Sequence, residues 1–176
     1  GHANRLSEHH IEWSFIDDVA RATEDPGRSS VPTASVTDCD RRTRRTREID
    51  ARVLLLQRRS ALAFDGRSTI ARAPLVDMLS GVLPGARTPW NSVWWTPRVH
   101  LAIFVHRVDQ LPPGLYLLMR DPQAFDRLRA ACRPEFLWDV AAEELPLRCL
   151  ARGDARSRAA RLSCDKDIAA DGGFSL

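Results

Sequence analysis

The sequence predicts an α+β fold, a mainly antiparallel sheet flanked by helices, and three observations carry that expectation. Stretches with apolar residues at helical spacing mix irregularly with short β-rich runs. Two of those runs are joined by Leu111-Pro112-Pro113-Gly114, turn chemistry that makes an antiparallel hairpin the simplest connection. No regular strand-helix-strand repeat runs through the chain, as a doubly wound parallel sheet would require.

Taken in order, residues 6–23 are expected to form a helix. Ser7 is available as its cap, and Ile11, Phe15, Ile16, Val19 and Ala20 recur at helical spacing behind Trp13. Glu24-Asp25-Pro26-Gly27 ends it. Residues 28–47 are rich in Ser, Thr, Pro, Asp and Arg and nearly free of large apolar side chains, the composition of a flexible linker. A second helix is expected over residues 48–59, with Ile49, Val53, Leu54 and Leu56 offered for burial, and a third over 73–82, with Leu75, Val76, Met78, Leu79 and Val82 on its apolar side. Residues 99–106 read as a buried strand and 115–119 as its hairpin partner. Asp121-Pro122 starts a further helix carrying Phe125, Leu128 and Ala131. A strand over residues 145–150 and a helix over 155–170 complete the reading. The chain thus divides into an N-terminal helical segment (1–27), a linker (28–47) and one folded domain (48–176).

With 176 residues, 44% of them hydrophobic, the chain can build one real core. No run of about 18 apolar residues and no secretory signal pattern is present, so no membrane partner is expected and the protein reads as soluble and cytoplasmic. The formal charge of +3 comes almost wholly from arginine, Lys166 being the single lysine. The arginine run over residues 41–47 has no interleaved aromatics and has acidic neighbours, which fits a solvated linker better than a nucleic-acid interface, the alternative that salt-dependent retention on nucleic acid would reveal. Cys39, Cys132, Cys149 and Cys164 lack any metal-ligand spacing and read as reduced thiols, Cys132 and Cys149 in or near the core. His100 and His106 point to one face of a strand about 20 Å apart, too far to share a metal, and each reads as a hydrogen-bonded structural histidine. Asp17-Asp18 and Glu143-Glu144 read as surface pairs. No Ser-His-Asp order, Walker loop or G-x-G-x-x-G appears, and no catalytic side chain is singled out.

The strongest local signal is Arg58-Arg59-Ser60 at the end of the second helix. Two guanidiniums, a hydroxyl and nearby backbone N–H groups suit a phosphate monoester. The same residues also describe an exposed basic helix end. Trp90, Trp94 and Trp95, with Asn91 and Ser92 among them, form an aromatic cluster that suits either a stacked ring ligand or the end of the core.

Arg58-Arg59-Ser60-Ala61-Leu62-Ala63-Phe64-Asp65, followed by Pro74-Leu75-Val76-Asp77-Met78-Leu79, resembles the opening of nitroreductase-like flavoprotein domains. Residues 100–108 with 111–116 look like the hairpin of the branch that includes SagB-type thiazoline and oxazoline dehydrogenases, and residues 162–170 are similar to the start of that family's central helix. The likeness spans roughly residues 4–176, and these three patches are its specific part. It implies an FMN-dependent oxidoreductase, or a subunit of one, with Arg58, Arg59 and Ser60 facing the FMN phosphate and Asn91 near the isoalloxazine. It further implies NAD(P)H as electron donor, a small-molecule or peptide substrate, and a homo-oligomer such as a dimer, or a second nitroreductase-like domain, as partner. Leu62 stands where many members carry a second basic residue. The family continues beyond its central helix into strands and a partner-wrapping tail, so the C-terminal part of the domain is expected to be missing. The alternative is a cofactor-free module that keeps the fold as a scaffold.

Overall fold

A computed structural model of the chain describes residues 12–24, 50–85, 89–93, 95 and 97–176. The fold is α+β: a five-stranded antiparallel sheet in the order β3-β4-β2-β1-β5, with several helices. β1 (Leu101–Val105) and β2 (Gly114–Leu118) form the expected hairpin, paired from Leu101 opposite Leu118 to Val105 opposite Gly114. β4 (Leu147–Arg152) joins the other side of β2, and β3 (Asp139–Ala142) pairs with β4 at one edge. β5 (Phe174–Ser175) closes the other edge against Phe104 and Val105. At Gly114 the backbone of β4 comes so close that a Cβ would lie 2.2 Å from the Ala151 carbonyl oxygen, so only glycine fits there.

The strand β2 sits in the middle of the sheet and is apolar throughout, because both its faces are covered. Tyr116 and Leu118 face a core shared with Ile103, Val105, Leu147 and Cys149, onto which α3 (Arg72–Gly81) lays Leu75 and Leu79. Leu117 and Met119 face the other way, toward Trp138 and Leu150, where Phe125 and Leu128 of α4 (Phe125–Ala131) and Cys132 pack. The period of two along β2 therefore divides one strand between two cores. The Tyr116 hydroxyl donates to the Pro112 carbonyl at 2.6 Å, which pairs the polar end of an otherwise buried ring. Arg72 and Glu144, 3.0 Å apart, tie the start of α3 to the β3–β4 turn.

Several expected elements shift. The first helix begins at Ile16, as α1 (Ile16–Ala22), and Trp13 and Phe15 stack on each other ahead of it with ring centroids 5.6 Å apart. Ser7, Ile11 and the linker of residues 28–47 lie outside the described residues. α2 (Ala51–Gln57) is shorter than expected because Asp50 caps it, its carboxylate accepting from the Arg52 and Val53 N–H groups. The burial expected of Val53, Leu54 and Leu56 does not occur: Leu54 is 53% and Leu56 65% exposed, and no residue of α1 or α2 is buried. Helical periodicity offers a face for burial, and nothing among the described residues covers it. Met78 is likewise exposed on α3.

The helix expected over residues 155–170 breaks in two, α5 (Arg156–Leu162) and α6 (Ile168–Asp171). Cys164 and Asp165 both take positive φ, 59° and 55°, which a right-handed helix does not admit. The stretch that resembles the family's central helix is thus a break followed by a four-residue helix. A 3₁₀ turn, Pro122–Ala124, leads into α4. β3 and β5 were not expected, being too short to show a period.

Candidate functional site

Arg58, Arg59 and Ser60 follow α2 in exposed, irregular chain. Asp50 fixes the start of that helix and the Arg58 N–H, donating to the Leu54 carbonyl, closes its end. The Arg59 guanidinium curls back, donating to the carbonyls of Leu56 and Arg58 at 2.8 and 2.9 Å. It thereby caps the free carbonyls of the helix terminus, a familiar arginine role. Arg58 has no side-chain partner among the described residues. Leu62 is 96% exposed. Two residues further, Phe64 approaches Gly172, and Asp65 closes a tight turn by accepting from the Ser68 hydroxyl and from the Arg67 and Ser68 N–H groups. Those bonds hold its carboxyl at about 2.

Asn91, the fourth site residue expected from sequence, lies exposed in the 3₁₀ turn Trp90–Ser92. Its neighbour Trp90 donates from Nε1 to the Gly81 carbonyl at 3.2 Å, and the Arg120 guanidinium stacks 4.6 Å over its ring. Arg120 also donates to the Val82 carbonyl at 2.8 Å, and its N–H donates to His100 Nδ1. Trp90 and Arg120 together close the C-terminal end of α3, so this tryptophan covers the end of the core. Trp95 is exposed, and Trp94 lies outside the described residues. Neither Asn91 nor Arg58, Arg59 and Ser60 lines the cleft formed beside β1 and β4.

That cleft, of about 360 Å³, opens between the turn after β1 and the turn after β4. Gly66, His106, Arg107, Pro112, Pro113, Arg152, Gly153, Asp154 and Arg156 line it. Its walls are fixed. Gly153, at φ 117°, donates from its N–H to the Pro113 carbonyl at 2.9 Å, which locks the two turns together. Arg107 donates to the carbonyls of Asp171 and Gly172 and, at 3.3 Å, of Ser68. Its own N–H reaches the Gly173 carbonyl, so β1 grips the last turn of the described chain.

Asp154 receives a two-pronged guanidinium contact from Arg156 and the Arg156 backbone N–H, which hold its carboxyl well below the usual carboxylate range. Arg152 pairs with Asp139 at 3.0 Å. His106 is 6% exposed. Its Nε2 lies 2.9 Å from the Ala169 carbonyl oxygen, which can only accept, so Nε2 carries the proton. Nδ1 is enclosed without a protein partner among the described residues. Burial pushes the ring toward its neutral form, against the hydrogen bond to Ala169, and the Arg107 charge adds to the effect.

Sequence reasoning missed the cleft residues Arg107, Arg152, Asp154 and Arg156. A signal existed in Arg152-Gly153-Asp154-Ala155-Arg156, where three charges flank a glycine, but nothing local shows that Arg107 converges on it. The expected core thiols are found, Cys149 buried and Cys132 packed beneath α4, and Cys164 is exposed. Among the described residues no His, Cys, Asp and Glu group could hold a metal, and no helix is long and apolar enough to cross a membrane. Comparison with protein-family models, curated proteins and solved structures finds no match for the chain.

Proposed function

We propose that this chain supplies one part of an FMN-dependent oxidoreductase of nitroreductase-like kind, Arg58 and Ser60 holding the flavin phosphate where a second surface meets α2. The observation that carries this reading is the state of α2. Its apolar side chains are uncovered, and at its end an arginine without a partner among the described residues stands beside a serine hydroxyl. A homo-oligomeric partner, or a second nitroreductase-like domain, laid on the exposed Val53 and Leu56, one turn apart on α2, would bring its own groups against that turn. The guanidinium and hydroxyl fit a phosphate dianion. The flavin ring would then be enclosed mainly by the partner, because Arg58, Arg59 and Ser60 stand exposed at the helix end. When bound, FMN supplies the hydride chemistry between NAD(P)H and a small-molecule or peptide acceptor, and the chain supplies charge and position.

The test is flavin binding by the purified protein, supplied with excess FMN and its assembling partner. Arg58→Ala is expected to weaken binding about 10- to 150-fold, the roughly 1.5–3 kcal/mol of a hydrogen bond to a charged group. Ser60→Ala costs less, Leu62→Arg tightens binding, and Arg129→Ala on α4 changes nothing. Wild-type protein that stays colourless, or an Arg58→Ala variant that binds as wild type does, sinks the proposal.

One observation favours a second reading, a cofactor-free scaffold of the same fold. Arg59 is turned onto its own helix end, and Leu62 stands exposed where many members of the resembled family carry a second basic residue. Such a module pairs with its partner through α2 and takes up no flavin.

A further inference from the structure

The geometry points to a second, separate ligand site: the cleft between the β1–β2 turn and the β4–α5 turn takes a small organic oxyanion, a phosphate or carboxylate carried on an apolar body. The cleft, of about 360 Å³, falls in the range of small-molecule pockets. Three arginines, Arg107, Arg152 and Arg156, line it with one carboxylate, Asp154, which pairs with Arg156 alone of the three. All three arginines have only part of their hydrogen-bonding capacity engaged, Arg107 through Nε and Nη2 alone. Arg152 contacts Asp139 through Nη2, and Arg156 contacts Asp154 through Nε and Nη2, which leaves Nη1 of Arg156 without a protein partner among the described residues.

Pro112 and Pro113 supply an apolar wall on the same side, pinned by the Gly153 N–H. Arg107 is immobilised by three carbonyls, so its charge is fixed at the floor and costs no ordering on binding. Beneath the cleft the buried His106 ring, with Nε2 committed to Ala169 and Nδ1 unpaired, adds a polar group that registers any charge placed above it. None of this involves Arg58 or FMN, so the two proposals stand or fall apart.

Calorimetric titration of the full chain with phenyl phosphate, benzoate and inorganic phosphate tests the site and, by which of them binds, names the headgroup. Saturable binding of phenyl phosphate or benzoate, tighter than that of inorganic phosphate because of the proline wall, is expected. Arg156→Gln weakens it about 10-fold, the scale of a lost charge-assisted contact. Asp154→Asn, which removes the one lining carboxylate, tightens it, an outcome that misfolding cannot mimic. Arg58→Ala leaves it unchanged. The His106 ring provides a second readout: a bound anion raises its pKa, visible in the pH titration of its imidazole proton resonance. The site is refuted if none of the three ligands binds saturably, or if Arg156→Gln and Asp154→Asn both bind as wild type does.

Discussion

At the scale of single residues, His106 joins the sheet to the last turn of the described chain, and its protonation state is written into that contact. The Nε2–H bond to Ala169 exists in either charge state. The added proton of the imidazolium must sit on the enclosed Nδ1, near Arg107 and Arg156, with Asp154 as the opposing charge. The folded-state pKa is therefore lowered from the ordinary 6.5, and between the two values the unfolded chain binds more protons than the folded one. Stability is then fully present above about pH 6.5 and falls as pH drops through that value toward the lowered one, with a slope of at most about 1.4 kcal/mol per pH unit. Denaturant unfolding between about pH 5 and 7 checks this. The slope should vanish in His106→Asn, and a wild-type stability that is flat across that window contradicts the account. The bonded carboxylates Asp65 and Asp154 act lower, where carboxyl groups titrate, and leave this window to the histidine.

At the scale of elements, α2 and α3 show what periodicity does and does not say. Both present apolar residues at helical spacing, yet Leu75 and Leu79 are buried against Ile103 and Leu118 while Leu54 and Leu56 face outward. A sequence pattern identifies the face to be covered; only tertiary structure supplies the cover. The double variant Leu54→Glu with Leu56→Glu should accordingly leave the unfolding free energy of the isolated chain within about 0.5 kcal/mol, and abolish any self-association seen by sedimentation. Leu75→Ala should cost about 2–5 kcal/mol. Destabilisation of the isolated monomer by the charged pair would show that α2 packs within its own chain. The hairpin was legible for a different reason: its strands are apolar, β-rich and punctuated by Pro112-Pro113-Gly114, so local chemistry decides the pairing. The break between α5 and α6 was less so, since its cause is the left-handed backbone at Cys164 and Asp165, residues only mildly averse to helix.

At the scale of the whole molecule, the α+β class and the antiparallel hairpin were readable, and the cleft was not, because it is assembled from the β1–β2 turn, the β4–α5 turn and Gly66, which lie far apart in sequence. Gly66, Arg107 and Arg156 carry no shared spacing, and the meeting of the last two depends on β4 pairing with β2 and on Gly153 reaching Pro113. The order in which those pairings close has a kinetic consequence. β1 and β2 meet across one short turn, whereas His106 reaches Ala169 across 63 residues, and β5 adds two pairs at the far edge. Loop-closure entropy places the hairpin and its contact with β4 early and the grip on β5 late. Stopped-flow measurements on Phe174→Ala should then show faster unfolding with nearly unchanged refolding, while Leu118→Ala slows refolding. Equal slowing of refolding per unit of lost stability would reverse that order. A clasp that closes last also opens first, so the amide protons of His106 and Arg107, both bonded to the Gly173 carbonyl, should exchange with solvent before those at the centre of β2, marking the seam along which the native state breathes.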